Sequence, residues 1–324
     1  MNKFSPYTDL AIEAAQALTD DIKKSDGIEI TATHSEAASV TLVKITNRKG
    51  SEEMGKPIGS YITIESPYMR ENVPEMHEEI KKLFADRLSE LCDLKKEDSV
   101  LIVGLGNRYV TPDSLGPKVI SGIMVTRHIK DSLPEEIKDN VRPVSAVTPG
   151  VMGLTGIESS EIIKGIAEKT KPSLIIAIDA LAARKASRIN STVQMSDTGV
   201  TPGAGVGNTR GALNRDSMGV PVIAIGVPTV VDAATLVNDS LNSILGSMLE
   251  ASDKGKDFYR TLQELSGEEK YSLISACLDP YTENMFVTPK EVDSVVDTLA
   301  DIISGGINMA LQPEINKDNV NVLI

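Results

Sequence analysis

Two aspartates stand at the mouths of Gly-rich α/β segments, and they are the residues of this chain best placed to do chemistry together. Asp113 lies in Val100-Leu-Ile-Val-Gly-Leu-Gly-Asn-Arg-Tyr-Val-Thr-Pro-Asp113, and Asp179 in Ser173-Leu-Ile-Ile-Ala-Ile-Asp179-Ala-Leu-Ala-Ala-Arg184. Two carboxyls in different surroundings can share the activation of a water, one as base and one as acid. The spacing predicts different surroundings here. Asp113 sits just inside a helix start signalled by Thr111-Pro112, where backbone amides favour a carboxylate; Asp179 directly follows an apolar run walled by Ile and Leu, which favours the protonated form. Each also has a plain structural explanation. Asp113 alone serves as a first-turn residue complementing a helix dipole, and separation in sequence does not establish that the two side chains meet. Asp179 is harder to explain structurally, because a charge closing an apolar strand is costly unless paired or used.

The elements that must position this pair are legible as an alternation. Val100 to Val103 and Leu174 to Ile178 are continuously apolar, which predicts strands buried on both faces. From Ser99 to about Leu249 strands are expected near 100–104, 143–147, 173–179 and 220–226, with helices near 112–129, 157–169 and 232–249, so the 99–250 region reads as an α/β core on a parallel sheet. Ligands bind such sheets at the carboxyl ends of the strands. Ahead of this core, Ile28–Thr33, Val40–Thr46 and Ser60–Glu65 read as strands of a β-rich 25–70 region, and Glu75–Leu94 as an amphipathic helix with Met76, Ile80, Leu83, Phe84, Leu88 and Leu91 on one face. A helix is expected from Asp9 to about Lys24, and a C-terminal helical segment over 285–324 that starts at Thr288-Pro289 and is interrupted at Gly305-Gly306.

Composition narrows the function classes. The 324 residues are 41% apolar, which leaves ample core material, and they contain no Trp. The net charge is −13 without a basic stripe, which argues against direct nucleic-acid binding and favours basic over acidic partners. No stretch approaches the roughly 20 apolar residues that span a bilayer, so no membrane partner is expected. Cys92 and Cys277 stand far apart, suit a reducing interior, and read as buried apolar residues.

Other chemistries find less support. Gly104-Leu-Gly106 opens like a dinucleotide fingerprint, but Tyr109 stands where the third glycine belongs. Gly203-Ala-Gly-Val-Gly207 lacks the Lys-Ser or Lys-Thr of a phosphate loop and reads as a tight loop. His34, His77 and His128 lie in unrelated segments, His128 ending the expected 112–129 helix; no triad, zinc hydrolase motif or metal-ligand spacing emerges. Neither cofactor nor metal is expected.

The chain closely resembles the germination protease family of spore-forming bacteria. The resemblance rests on Val103–Pro117, Arg142–Glu158, Ile176–Arg184, Pro202–Asn208, Ile225–Ala233 and Val287–Asp293, blocks that run in order through most of the sequence. It implies an atypical aspartic-type endopeptidase with a hydrogenase-maturation-protease-like fold: an α/β, mostly parallel sheet flanked by helices with an N-terminal β-rich subdomain. The implied catalytic residues are Asp113 and Asp179. Implied substrates are small acid-soluble spore proteins, in the cytoplasm of the forespore and spore core, cut by a homotetramer made as a zymogen. Thr8-Asp-Leu-Ala-Ile-Glu13 is similar to the acidic-then-apolar sequence cut in those substrates. Scission between Asp9 and Leu10 would then release a 1–9 propeptide from a single 10–324 catalytic unit. The same residues also read as a plain helix start capped by Thr8. The propeptide and the charged segment after Leu249 are short for the family. Two alternatives remain at this stage: a nickel-dependent endopeptidase of the hydrogenase-maturation type, and a regulator that binds phosphate or nucleotide on its glycine loops.

Overall fold

The computed structural model describes residues 10–17, 26–203, 211–251 and 285–315, with residues 269 and 274 besides. Asp9, Cys277 and most of the Gly203–Gly207 loop lie outside the described residues. One mixed sheet organises the rest. Its strands are β1 (Ile28–His34), β2 (Ser39–Ile45), β3 (Gly59–Glu65), β4 (Val100–Gly104), β5 (Val144–Val147), β6 (Leu174–Ala183), β7 (Thr192–Ser196), β8 (Val222–Asp232) and the short β9 (Phe286–Val287), in the order β1-β2-β3-β7-β8-β6-β4-β5 with β9 on β8. The core β5-β4-β6-β8 is parallel, as the apolar runs require. The N-terminal strands form an antiparallel wing that joins this core through β7, which pairs antiparallel with both β3 and β8.

Helices cover both faces. They are α1 (Ala11–Ala17), α2 (Arg48–Met54), α3 (Pro74–Leu91), α4 (Leu115–Ser121), α5 (Ser159–Thr170), α6 (Ala233–Ala251) and α7 (Val292–Leu311), joined in places by single helical turns. One face carries the main core, where Ile62, Ile64, Ile102, Ile176, Ile178 and Ile225 meet Phe84 and Leu88 of α3, Leu115 and Val119 of α4, and Leu299 and Ile303 of α7. The other face packs Leu101, Val103, Ile175 and Ala177 on Ile163 and Ala167 of α5, and packs Val43 and Tyr61 of the wing on Ala11 and Ala15 of α1.

Several expectations are corrected by longer-range contacts. The helix expected over 112–129 stops at Ser121. Beyond Gly122 the Thr126 and Arg127 amides donate to the Val144 carbonyl, and Thr126 Oγ1 accepts from Val144 N, so this stretch is spent bracing β5. His128 is therefore an exposed loop residue with no helix end to complement. Strands β7 and helix α2 were not anticipated. Helix α2 forms despite Gly50 because Asn47 caps it through Gly50 N and Gly55 closes it in the left-handed region at φ 62°. Cys92 is half-buried against the core, and burial pushes its thiol up to about 12.

Helix α7 is not interrupted at Gly305-Gly306; it runs through both. A Cβ on Gly306 would lie 2.4 Å from Phe84 Cδ1, and one on Gly305 would lie 3.0 Å from Lys81 Cδ. The glycines are a docking seam for α3, closed at its edge by Lys81, which reaches Asp301 at 2.8 Å and Glu78 at 2.9 Å. Burial pulls the Lys81 ammonium down, but these two carboxylates outweigh it and hold it above its usual value. Gly306→Ala should consequently lower stability by about 1–3 kcal/mol from overpacking, although alanine alone would favour the helix by about 1 kcal/mol. The urea midpoint should fall, and Phe84→Leu in the Gly306→Ala background should recover part of the loss; an unchanged midpoint for Gly306→Ala would mean that the seam is not tight.

Candidate active site

Parallel strands leave a crevice where one strand stops and its neighbour continues. Strand β4 ends at Gly104, opposite Ile178, while β6 runs on to Ala183 beside β8. Asp179 thus lies within its strand and not after it, at the first position that β4 no longer covers. It is 6% exposed, and its Oδ1 accepts the Ala180 amide at 3.0 Å. Its side chain shares a face with Ala177 and Leu181, since alternate strand residues point the same way. Two more residues lie in the same cross-strand row: Gly226 opposite Asp179, and Gln194 opposite Gly226.

Asp113 reaches this crevice from β4. Leu105 N still donates to Ile178 O at 2.8 Å, continuing the ladder by one bond. The chain then turns at Gly106, whose φ of 102° suits glycine, and Asn107 N donates back to Asp113 Oδ2 at 2.8 Å. Asp113 itself closes a 3-10 turn, Thr111–Asp113, which packs against β6, β8 and α7. It is half-buried where Asp179 is buried. The glycines of the supposed dinucleotide fingerprint have another use. A Cβ on Gly104 would meet Gly116 O at 2.4 Å, and one on Gly106 would meet Asp113 O at 2.1 Å. They allow α4 and the Asp113 turn to lie directly on the strand end.

The rim of the crevice is apolar and exposed. Tyr109 is 78% exposed, and Val110 beside it, with Met152, Leu154 and Ile157 after β5, also reach solvent. Arg108 Nη2 donates to Thr148 Oγ1 at 3.2 Å and ties the two loops together. Among the described residues no group of three or more His, Cys, Asp or Glu could hold a metal ion, and no helix is long and apolar enough to cross a membrane.

The N-terminal segment lies on the Asp179 face. Leu10 is 0% exposed and, with Ile12, clusters with Leu181, two residues beyond Asp179. Ala11 N donates to Gln194 Oε1. Glu13 accepts from Arg184 N at 3.0 Å and Lys185 N at 3.1 Å and pairs with Arg188 Nη1 at 3.3 Å; Arg188 Nε also holds Glu65 at 2.9 Å. The structure therefore brings Leu10 to the strand of Asp179. Gln194, Arg188 and Leu181 went unnoticed in the sequence. For Gln194 a usable signal existed, a lone amide between Val193 and Met195 in a short β-prone run.

The comparisons with known proteins bear on what such a crevice does. The germination protease family profile matches residues 7–262 and 246–323. Germination proteases are similar over nearly the full length: 47% identical over 317 residues in Caldanaerobacter subterraneus (98% of this chain, 97% of that one), and 48% over 321 residues in Clostridium acetobutylicum (98% of each). The Bacillus mycoides germination protease is 43% identical over 355 residues (98% of this chain, 97% of that one). A solved [NiFe] hydrogenase maturation protease HycI from Thermococcus kodakarensis aligns at 16% identity with a TM-score of 0.33, over 68% of this chain and 99% of that chain. On the family match and the full-length identities, the chain belongs to the germination protease family and is a peptidase.

Proposed function

We propose that this protease is an aspartic-type endopeptidase in which Asp113 and Asp179 activate water, and that it first acts on itself between Asp9 and Leu10. The observation that carries the reading is the convergence of three features on one strand: the Asp113 turn packs on β6, Asp179 sits where β4 leaves β6 uncovered, and Leu10 is buried against Leu181 of the same strand. In the forward step Asp113, the more accessible carboxyl, takes a proton from water as the water oxygen bonds to the scissile carbonyl carbon. Asp179, in the drier position, gives its proton to the carbonyl oxygen. Collapse of the tetrahedral intermediate re-forms the carbonyl, its O–H proton returning to Asp179, and breaks the C–N bond, while the departing nitrogen takes up the proton held by Asp113.

In this reading residues 1–9 are a propeptide, residues 10–324 the catalytic unit, and the substrates small acid-soluble spore proteins in the forespore and spore core. The apolar rim around Tyr109 and Met152 suits a polypeptide substrate. Assembly as a homotetramer draws support from Leu236, Val237, Leu241 and Ile244, which α6 leaves exposed.

Intact mass spectrometry of the purified chain held at mildly acidic and at neutral pH tests the reading. Wild type should lose residues 1–9, while Asp113→Asn and Asp179→Asn should each stay whole with unchanged thermal unfolding; full processing by either variant sinks the pair assignment. Gly106→Ala should slow processing at least tenfold, because a side chain at φ 102° must move the Asp113 turn, and should cost more than about 1 kcal/mol of stability.

A further inference from the structure

Helix α5 carries a glycine that its own packing does not explain. Gly165 lies mid-helix, where glycine is less stable than alanine, and it faces solvent. A Cβ there would meet nothing within 4 Å, whereas one on Gly116, Gly305 or Gly306 would press on backbone or side chains. The missing side chain keeps a hollow open. A groove of about 680 Å³ runs along this side of α5, lined by Ile157, Glu161, Ile162, Gly165, Ile166 and Lys169. Its floor is apolar. Glu161 stands toward one end and Lys169 toward the other, about 12 Å apart along the helix at roughly 1.5 Å per residue.

The topology ties one end of this groove to the crevice. Strands β5 and β6 both run parallel to β4, so α5, which joins them, must run from their carboxyl ends back to their amino ends. Its start therefore lies at the edge of the sheet that holds the crevice. It also lies on the Asp179 face, since α5 packs on Ala177. Ile157 belongs to both surfaces: it is 48% exposed, next to Met152 and Leu154 of the rim, and it lines the groove. Ser159 Oγ donates to Gly150 O at 2.9 Å, which fastens the start of α5 to the loop that Thr148 links to Arg108. A polypeptide leaving the crevice over Ile157 thus meets the groove without a break in the apolar surface.

We infer that the α5 groove is a second docking seat for the polypeptide substrate, one that engages residues beyond those around the cleaved bond. Its occupant is a segment of the substrate chain with apolar side chains for Ile162 and Ile166, a cation toward Glu161 and a carboxylate toward Lys169. Gly165 lets the backbone of that segment approach α5 closely. The inference rests on the endopeptidase reading, and it adds that the enzyme holds a whole protein more tightly than a short peptide cut from one.

The test compares two substrates on the purified, self-processed enzyme. One is an intact small acid-soluble spore protein; the other is a synthetic hexapeptide of residues 7–12, which extends only about 10 Å to either side of the Asp9–Leu10 bond. Gly165→Gln lays a polar side chain across the groove in open space, so its urea midpoint should not fall. For the intact protein its KM should rise at least about tenfold with kcat unchanged, the pattern of lost binding shared by ground and transition states. For the hexapeptide, too short to cross the rim and reach Gly165, kcat/KM should hold. An unchanged KM for the intact protein overturns the inference and leaves the endopeptidase reading standing. An equal loss on both substrates also overturns it, because the effect then lies in the crevice. So does a changed oligomeric state of Gly165→Gln in sedimentation, which would make the groove a contact between copies of this chain. Wild-type enzyme that cuts neither substrate removes the endopeptidase reading, and the inference with it.

Discussion

The geometry of the crevice depends on one backbone contact, the approach of α4 to the end of β4 at Gly104 and Gly116. A Cβ on Gly116 would lie 2.2 Å from Leu105 O, and one on Gly104 would lie 2.4 Å from Gly116 O. With side chains at either point the helix would stand off from the strand, and the turn leading into it would rise with it. That turn carries Asp113. The contact thus fixes how deep Asp113 sits over the parallel strands, and the Asn107 N–H to Asp113 Oδ2 bond fixes its direction. Asp179 needs no such device, because a strand paired on both flanks as far as Ile178 is rigid. Precision at the site comes from a rigid strand and a helix pressed against it, the combination that holds functional groups most closely.

Charge on the opposite side of the same crevice follows a different rule. Arg188 is shared between Glu13 and Glu65; Arg188 and Glu13 are removed from water, while Glu65 is half-buried. Such arrangements contribute little net stability, yet removing one partner costs roughly 3–5 kcal/mol because a buried charge is left without compensation. The apolar residues around it, Leu10, Ile12 and Leu181, contribute through burial at about 25 cal/mol per Å² of apolar surface and accept other apolar side chains of similar size. Leu10 and Ile12 hold the segment through burial against Leu181, and Glu13 holds it through charge against Arg188.

What was legible in the sequence divides along the same line. Continuous apolar runs announce buried parallel strands, so β4, β6 and β8 and the aspartates near their ends could be read from local pattern. The wing strands were readable from β-branched residues. Strand β6 extends past Asp179 because β8 pairs with it through Ala183, a partner 48 residues distant that no local window contains. Helix α4 ends early because Thr126 serves β5, and α7 continues through two glycines because Phe84 needs the space; both reasons are tertiary. The same holds for Gln194 and Arg188. Their roles arise when residues 10–17 lie across strands more than 160 positions away, and only the folded chain brings those residues together.

The packing also explains how helix α1 can be part of the fold and yet separable from it. The clusters that hold α1 are small and distinct from the main core of α3, α4 and α7 on the opposite face of the sheet. Lifting α1 exposes Val43, Tyr61 and Leu181 and takes Glu13 from Arg188, which keeps Glu65, but it breaks no strand pairing and opens no contact between α3 and α7. Local opening of that kind costs less than global unfolding and involves a separate cooperative unit. Arg188 keeps Glu65 at 2.9 Å when Glu13 leaves, so its guanidinium is not stranded without a carboxylate.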